Sequence, residues 1–231
     1  MFENITIIGC GLIGSSILRA INKNKLSKKV FVFDKSKEVL SYLKTEKLNL
    51  NLTSDIGESV KKSELIIISA PLSAYKEILL SIKDSLKKNV ILTDTGSAKK
   101  EINKVIENLN LKDVSWIASH PIAGTEDSGP KSGFAEIFEN RWCVITPSEN
   151  AKKEDVEKVK IFWEKIGSKT KIMTFKEHDH ILSLTSHLPH AIAYNIVRTA
   201  INNDDKFKQD VIQYSAGGLR DFTRIAASDP V

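Results

Sequence analysis

The chain has 231 residues, 41% of them hydrophobic and 27% charged, with a formal net charge of +5. That length can bury a sizeable core, and the balance excludes a disordered or membrane-embedded chain. The positive excess is carried mostly by lysines interleaved with Glu and Asp, which reads as a solvated surface in preference to a nucleic-acid footprint; its modest field suits an anionic small molecule. The longest apolar stretches, such as 65–70, are too short to span a bilayer. Met1-Phe2-Glu3-Asn4 puts no basic region before the first apolar run, so the expected location is the cytoplasm. Cys10 and Cys143 lack CxxC or metal-like spacing and read as two buried, reduced thiols.

In chain order, short β-branched runs at 5–8, 30–33, 65–69, 90–93, 116–119, 143–146 and 171–174 alternate with amphipathic segments near 12–21, 38–44, 75–86, 99–109 and 153–166. This alternation predicts an α/β fold with a mainly parallel sheet and right-handed crossovers, and the continuous run Leu65-Ile66-Ile67-Ile68 suits a strand covered on both faces. From 178 to 201 the apolar positions recur at helical spacing, which predicts one long helix. No strand is expected after it, so a second, helical domain begins near residue 175.

The first strand leads into Gly9-Cys10-Gly11-Leu12-Ile13-Gly14, a GxGxxG run that opens a helix. Gly9 permits the tight turn, Gly11 lets the backbone approach a pyrophosphate, and Gly14 lets helix and strand pack closely. The helix start, with Leu12 and Ile13, offers free N–H groups and a partial positive charge. Asp34 ends the second strand about twenty residues on, where a carboxylate bonds the adenosine ribose hydroxyls. It would repel a 2′-phosphate, which favours NAD over NADP, although Lys35 beside it softens the preference. A structural glycine turn or an S-adenosylmethionine site is the alternative. Ser69 and Pro71, after another strand, either border the dinucleotide or form a plain βα turn.

Four further runs concentrate polar groups where elements end. In Thr93-Asp94-Thr95-Gly96-Ser97-Ala98-Lys99, Ser97 either caps the following helix or faces a ligand. In the run from Ser119 to Glu126, His120 follows a strand at the end where open sheets bind ligands. His187 and His190 are spaced i, i+3 on the long helix, as a ligand face, a structural pair or a metal site; the pattern has neither a nearby Cys nor HExxH, so no metal is expected. Arg220 and Arg224 follow glycines, and a guanidinium suits bidentate grip on a carboxylate, with a surface ion pair to Asp221 as the alternative.

GxGLIGSS, DTGSAK, SHPIAGTE, the SHLPH helix and GGLRDFTRIAASDP, in that order, resemble the prephenate/arogenate (cyclohexadienyl) dehydrogenase family over nearly the whole chain. The resemblance implies a Rossmann-like NAD-binding domain over 1–174, then the start of an α-helical substrate-binding and dimerisation domain over 175–231, and hence a homodimer. It implies NAD(P)-dependent oxidative decarboxylation of prephenate or arogenate on the route to tyrosine. It assigns His120 as the catalytic base on the ring hydroxyl and Ser97 as its partner on the same hydroxyl. His190 and Arg224 fall on substrate-binding positions, with Arg224 on a carboxylate; Thr125 and Glu126 flank the substrate, and His187 matches the second helix histidine. Such proteins continue past Val231 through a tryptophan and further helices, so the resemblance implies a shortened chain. Another β-hydroxyacid-type dehydrogenase and a non-catalytic NAD-binding sensor are the rival readings.

Overall fold

Residues 2–202, with 213, 214, 217, 219 and 222, are described by a computed structural model. The strands among them are β1 (Asn4–Ile8), β2 (Lys29–Phe33), β3 (Asn51–Thr53), β4 (Leu65–Ile68), β5 (Val90–Asp94), β6 (Val114–Pro121), β7 (Trp142–Pro147) and β8 (Lys169–Ile172). The helices are α1 (Leu12–Lys23), α2 (Lys37–Thr45), α3 (Ile56–Val60), α4 (Tyr75–Ile82), α5 (Lys100–Leu109), α6 (Lys153–Lys165), α7 (Phe175–Leu182) and α8 (Leu188–Ile201). The chain divides into two units: Met1–Gly124 with Ser128–His178, and Thr125–Asp127 with Asp179–Val231.

The first unit holds one eight-stranded sheet in the order β3-β2-β1-β4-β5-β6-β7-β8. Strands β1 to β6 run parallel, β7 is antiparallel to β6, and β8 is parallel to β7. The order reverses between β1 and β4, the switch point where open α/β sheets bind ligands beyond the strand carboxyl ends. Period-two alternation explains the two cores. Ile5, Ile7, Leu65 and Ile67 face Ile17, Leu18 and Ile21 of α1 and Val159, Phe162 and Trp163 of α6. Ile8, Ile66 and Ile68 face Val60 of α3, Tyr75, Leu79 and Ile82 of α4, and Ile102 of α5. All four residues of β4 are fully buried, and each such side chain contributes roughly 1.5–3 kcal/mol.

The structure differs from the sequence reading at several points. Strand β3 was not expected, because three residues carry no readable alternation. The antiparallel β7 interrupts the parallel pattern, since a strand's direction is set by the path of its connection and not by its own residues. The predicted 178–201 helix holds as one unbroken helical run, entered from Phe175, but a π-helical turn at Ser183–His187 interrupts its α-helical ladder. Pro189 stands in the first turn of α8, and its ring cannot sit in a continuous four-residue ladder. A wider turn absorbs the mismatch, with the Leu188 N–H donating to the Ser183 carbonyl five residues back.

The second unit, among the described residues, includes Thr125–Asp127, the end of α7, the π turn and α8.

Candidate active site

Gly9 has φ +86° and sits between two strand ends: its N–H donates to the Phe33 carbonyl of β2 at 2.9 Å, and the Ser69 N–H donates to the Ile8 carbonyl at 2.7 Å. Gly14, buried in α1, packs so closely on the Gly9 carbonyl that no Cβ fits between them. Gly11 is the residue that precedes α1, and a Cβ there meets nothing within 4 Å. The first turn of α1 has neither a side-chain cap nor an acidic residue. Its leading N–H groups, which include Leu12 and Ile13, have no upstream carbonyl and can receive an anion.

A cavity of about 380 Å³ opens beside this turn, lined by Gly9, Gly11, Asp34, Ser69 and Pro71 among others. Leu12, Ile13 and Gly14 are not in its lining, in keeping with backbone and packing roles. The Asp34 carboxylate is already oriented, accepting from the Cys10 N–H at 2.7 Å and the Ser36 N–H at 2.8 Å. Two carboxylate oxygens offer about four acceptor sites, so it can still take the two hydroxyls of a ribose. Open space at Gly11, the helix start and this carboxylate together fit a dinucleotide. Burial first, then the Asp34 charge, pushes the Cys10 thiol up to about 12, so it is not a nucleophile. A larger hollow of about 640 Å³, lined by Lys87, Lys88, Lys158 and Lys165, has none of these features.

At the carboxyl end of β5, Asp94 and Lys99 form a fully buried ion pair, with Nζ 2.8 and 2.7 Å from the two carboxylate oxygens. Lys99 also donates to the Ser119 carbonyl at 2.6 Å. The next residue, His120, is half-buried, and its Nδ1 lies 2.9 Å from Nε2 of the fully buried His178 on α7. The rings meet edge to face at 5.1 Å. If His120 Nδ1 carries the shared proton, its Nε2 keeps the lone pair that a general base needs.

His120 was expected beyond a strand end, yet it lies within β6, opposite Val144 of β7. The antiparallel neighbour extends β6 past the region paired with β5. Ser97 was weighed as a helix cap, but α5 starts at Lys100 with Lys99 before it and no side-chain cap. Ser97 is exposed in the turn between β5 and α5.

In the second unit, Thr125 and Glu126 are exposed, and Thr125 Oγ1 accepts from the Asp127 N–H at 3.3 Å. His187 is exposed in the π turn. His190 Nδ1 lies 2.8 Å from the Ser186 carbonyl, which can only accept, so that nitrogen carries the proton. Arg220 and Arg224 lie outside the described residues. Among the described residues, no group of three or more His, Cys, Asp or Glu could hold a metal ion. Sequence reasoning missed His178, which is 58 residues from His120. It also missed Asp94 and Lys99 as a pair, although an acid and a base flanking TGSA was a visible signal.

Two family models match: the nucleotide-binding domain of prephenate dehydrogenase over residues 17–172, and its dimerization domain over 174–231. The chain is 38% identical over 230 residues to a cyclohexadienyl dehydrogenase of Zymomonas mobilis, covering all of this chain and 78% of that protein. It is 30% identical over 235 residues to a Bacillus subtilis prephenate dehydrogenase, covering all of this chain and 62% of that one. An Aquifex aeolicus prephenate dehydrogenase, solved with hydroxyphenyl propionate and NAD+, superimposes with a TM-score of 0.89 at 29% identity. That superposition covers all of this chain and 80% of the Aquifex chain.

Proposed function

The chain belongs to the prephenate dehydrogenase family, and from that premise we propose that it oxidises and decarboxylates prephenate with NAD, accepting arogenate as a second acid. The observation that carries the reading is a half-buried imidazole on β6, braced by a buried histidine, in the same unit as a glycine turn and carboxylate shaped for a dinucleotide.

The α1 N-terminus and Asp34 would hold NAD, which would supply the hydride acceptor. His120 Nε2 takes the proton of the ring hydroxyl as that carbon gives up hydride, and Ser97 bonds the same oxygen. The hydroxyl becomes a carbonyl, the ring carboxylate leaves as CO₂, and the ring becomes a phenol. Aromatisation drives the reaction, so the protein chiefly positions the reactants and excludes water. Thr125, Glu126, His187, His190 and Arg224 are proposed to hold the acid, on the strength of the motifs they share with the family. The domain boundary near residue 174 is part of the same proposal.

A homodimer is proposed because Leu184, Leu188 and Ile192 are 56%, 49% and 44% exposed, a concentration of apolar surface that suits burial against a second copy. A cytoplasmic location is supported by two free, buried cysteines; no helix among the described residues is long and apolar enough to cross a membrane.

The test follows NADH absorbance with prephenate and with arogenate. NADH formed with either acid supports the reading. NAD binding without turnover of either makes the chain a sensor, and turnover of a β-hydroxyacid in their place makes it the rival enzyme. A companion measurement compares cofactors: kcat/KM with NAD is expected to exceed that with NADP. Asp34→Ala raises KM for NAD by about 10- to 100-fold, since hydrogen bonds to a charged group contribute about 1.5–3 kcal/mol. A parent enzyme that prefers NADP removes Asp34 from the ribose.

A further inference from the structure

The buried Asp94–Lys99 pair bonds to the backbone next to both proposed catalytic residues. Asp94 Oδ1 accepts from the Ser119 N–H at 3.0 Å, and Lys99 Nζ donates to the Ser119 carbonyl at 2.6 Å, so both backbone polar groups of Ser119 are fixed immediately before His120. Asp94 Oδ2 accepts from the Gly96 N–H at 2.9 Å, immediately before Ser97, and from the Tyr75 hydroxyl at 3.1 Å. Each carboxylate oxygen also receives Lys99 Nζ, at 2.8 and 2.7 Å. Both ionic side chains have zero exposure.

A charge pair in this setting is a costly way to hold a fold together. Two ions must be stripped of water, and apolar residues of the same volume often stabilise as well or better. What an apolar pair cannot do is bond, through one carboxylate, to two backbone segments, the β5–α5 turn at Gly96 and β6 at Ser119. We propose that Asp94 and Lys99 are positioning residues for the dehydrogenase reaction, fixing the β5–α5 turn and β6 so that Ser97 and His120 meet one hydroxyl group. The inference rests on the proposed function for its substrate, but the geometry it assigns to His120 does not depend on which acid is bound.

The test uses Lys99→Met and the double variant Asp94→Asn/Lys99→Met, which keeps similar volumes and buries no lone charge. Each is measured for kcat and KM per folded molecule, with the fold checked by circular dichroism and NAD titration. An ångström of misplacement costs on the order of 100-fold in rate. The expected result is a kcat for the double variant about 100-fold below the parent, with KM for NAD within threefold. Where Lys99→Met fails to fold, the double variant carries the test alone.

A second readout needs no turnover. The proton shared by His120 and His178 should give a downfield imidazole N–H resonance in the parent, identified by its loss in His120→Asn. The double variant is expected to lose or shift it. A folded double variant with parental kcat and an unmoved resonance overturns the proposal. A parent that turns over neither acid removes the substrate reading, while the resonance still decides the positioning role.

Discussion

His120→Asn is expected to lower kcat by about a thousandfold while leaving Kd for NAD within about threefold of the parent. The substitution isolates one chemical property. An asparagine amide reaches about as far as the imidazole Nδ1 and can still donate to His178 Nε2, now 2.9 Å from Nδ1, so the anchoring of β6 should survive. The amide has no basic lone pair to receive the proton of the ring hydroxyl. His120 is not among the residues lining the 380 Å³ cavity beside the glycine turn, so cofactor binding has no direct reason to change. NADH appearance measures the first quantity and quenching of protein fluorescence by NAD the second. The parent's kcat/KM should fall on the acid side, because a protonated imidazole cannot act as a base, and the same limb should be absent from the residual activity of the variant. A variant that loses NAD affinity in step with activity would place residue 120 in the cofactor site instead.

How far such a site can be read from sequence depends on whether its parts are neighbours along the chain. The glycine turn, the strand before it and Asp34 were legible because one βαβ unit fixes their spacing, and the structure puts Gly9, Gly11 and Asp34 on one cavity. The four apolar residues of β4 announced a strand covered on both faces. The bracing of His120 was not legible, because His178 comes from an element 58 residues later, and nothing local says that its ring will be buried. The Asp94–Lys99 pair was hidden differently. Its residues were in plain view within one motif, but charged side chains near a helix start ordinarily point to water, and only the surrounding strands make them a pair with zero exposure. Pro189 was visible too. Its effect, a π turn and not a simple stop, depends on how the preceding turn can widen. For Ser97 the sequence left a helix cap and a ligand-facing role open, and a helix that starts at Lys100 with no side-chain cap does not support the first. The expectation for Arg220 and Arg224 falls outside the described residues.

Gly9→Ala and Gly11→Ala are expected to fail in different ways, although both remove a glycine from one turn. At Gly9, φ is +86° and the new methyl would lie 2.5 Å from the Ser69 carbonyl oxygen, which is backbone and cannot swing aside. A left-handed conformation costs an L-residue roughly 1–2 kcal/mol, and the clash adds to it, for a total of about 3 kcal/mol. In a chain of this size that lowers Tm by about 6–12 °C before any ligand is added. NAD affinity should fall with it, because the turn that aims the α1 N-terminus is displaced. At Gly11, φ is −68° and a methyl meets nothing within 4 Å, so the ligand-free protein should keep its Tm to within about 1–2 °C. The space that methyl fills is the space a pyrophosphate needs, and NAD affinity should drop tenfold or more, about 1.4 kcal/mol. Thermal melts without ligand and NAD titrations of both variants separate the two roles. A Gly11→Ala protein that binds NAD as tightly as the parent would mean that the dinucleotide does not approach α1 over this residue, and the cofactor assignment would fail there even with the fold intact.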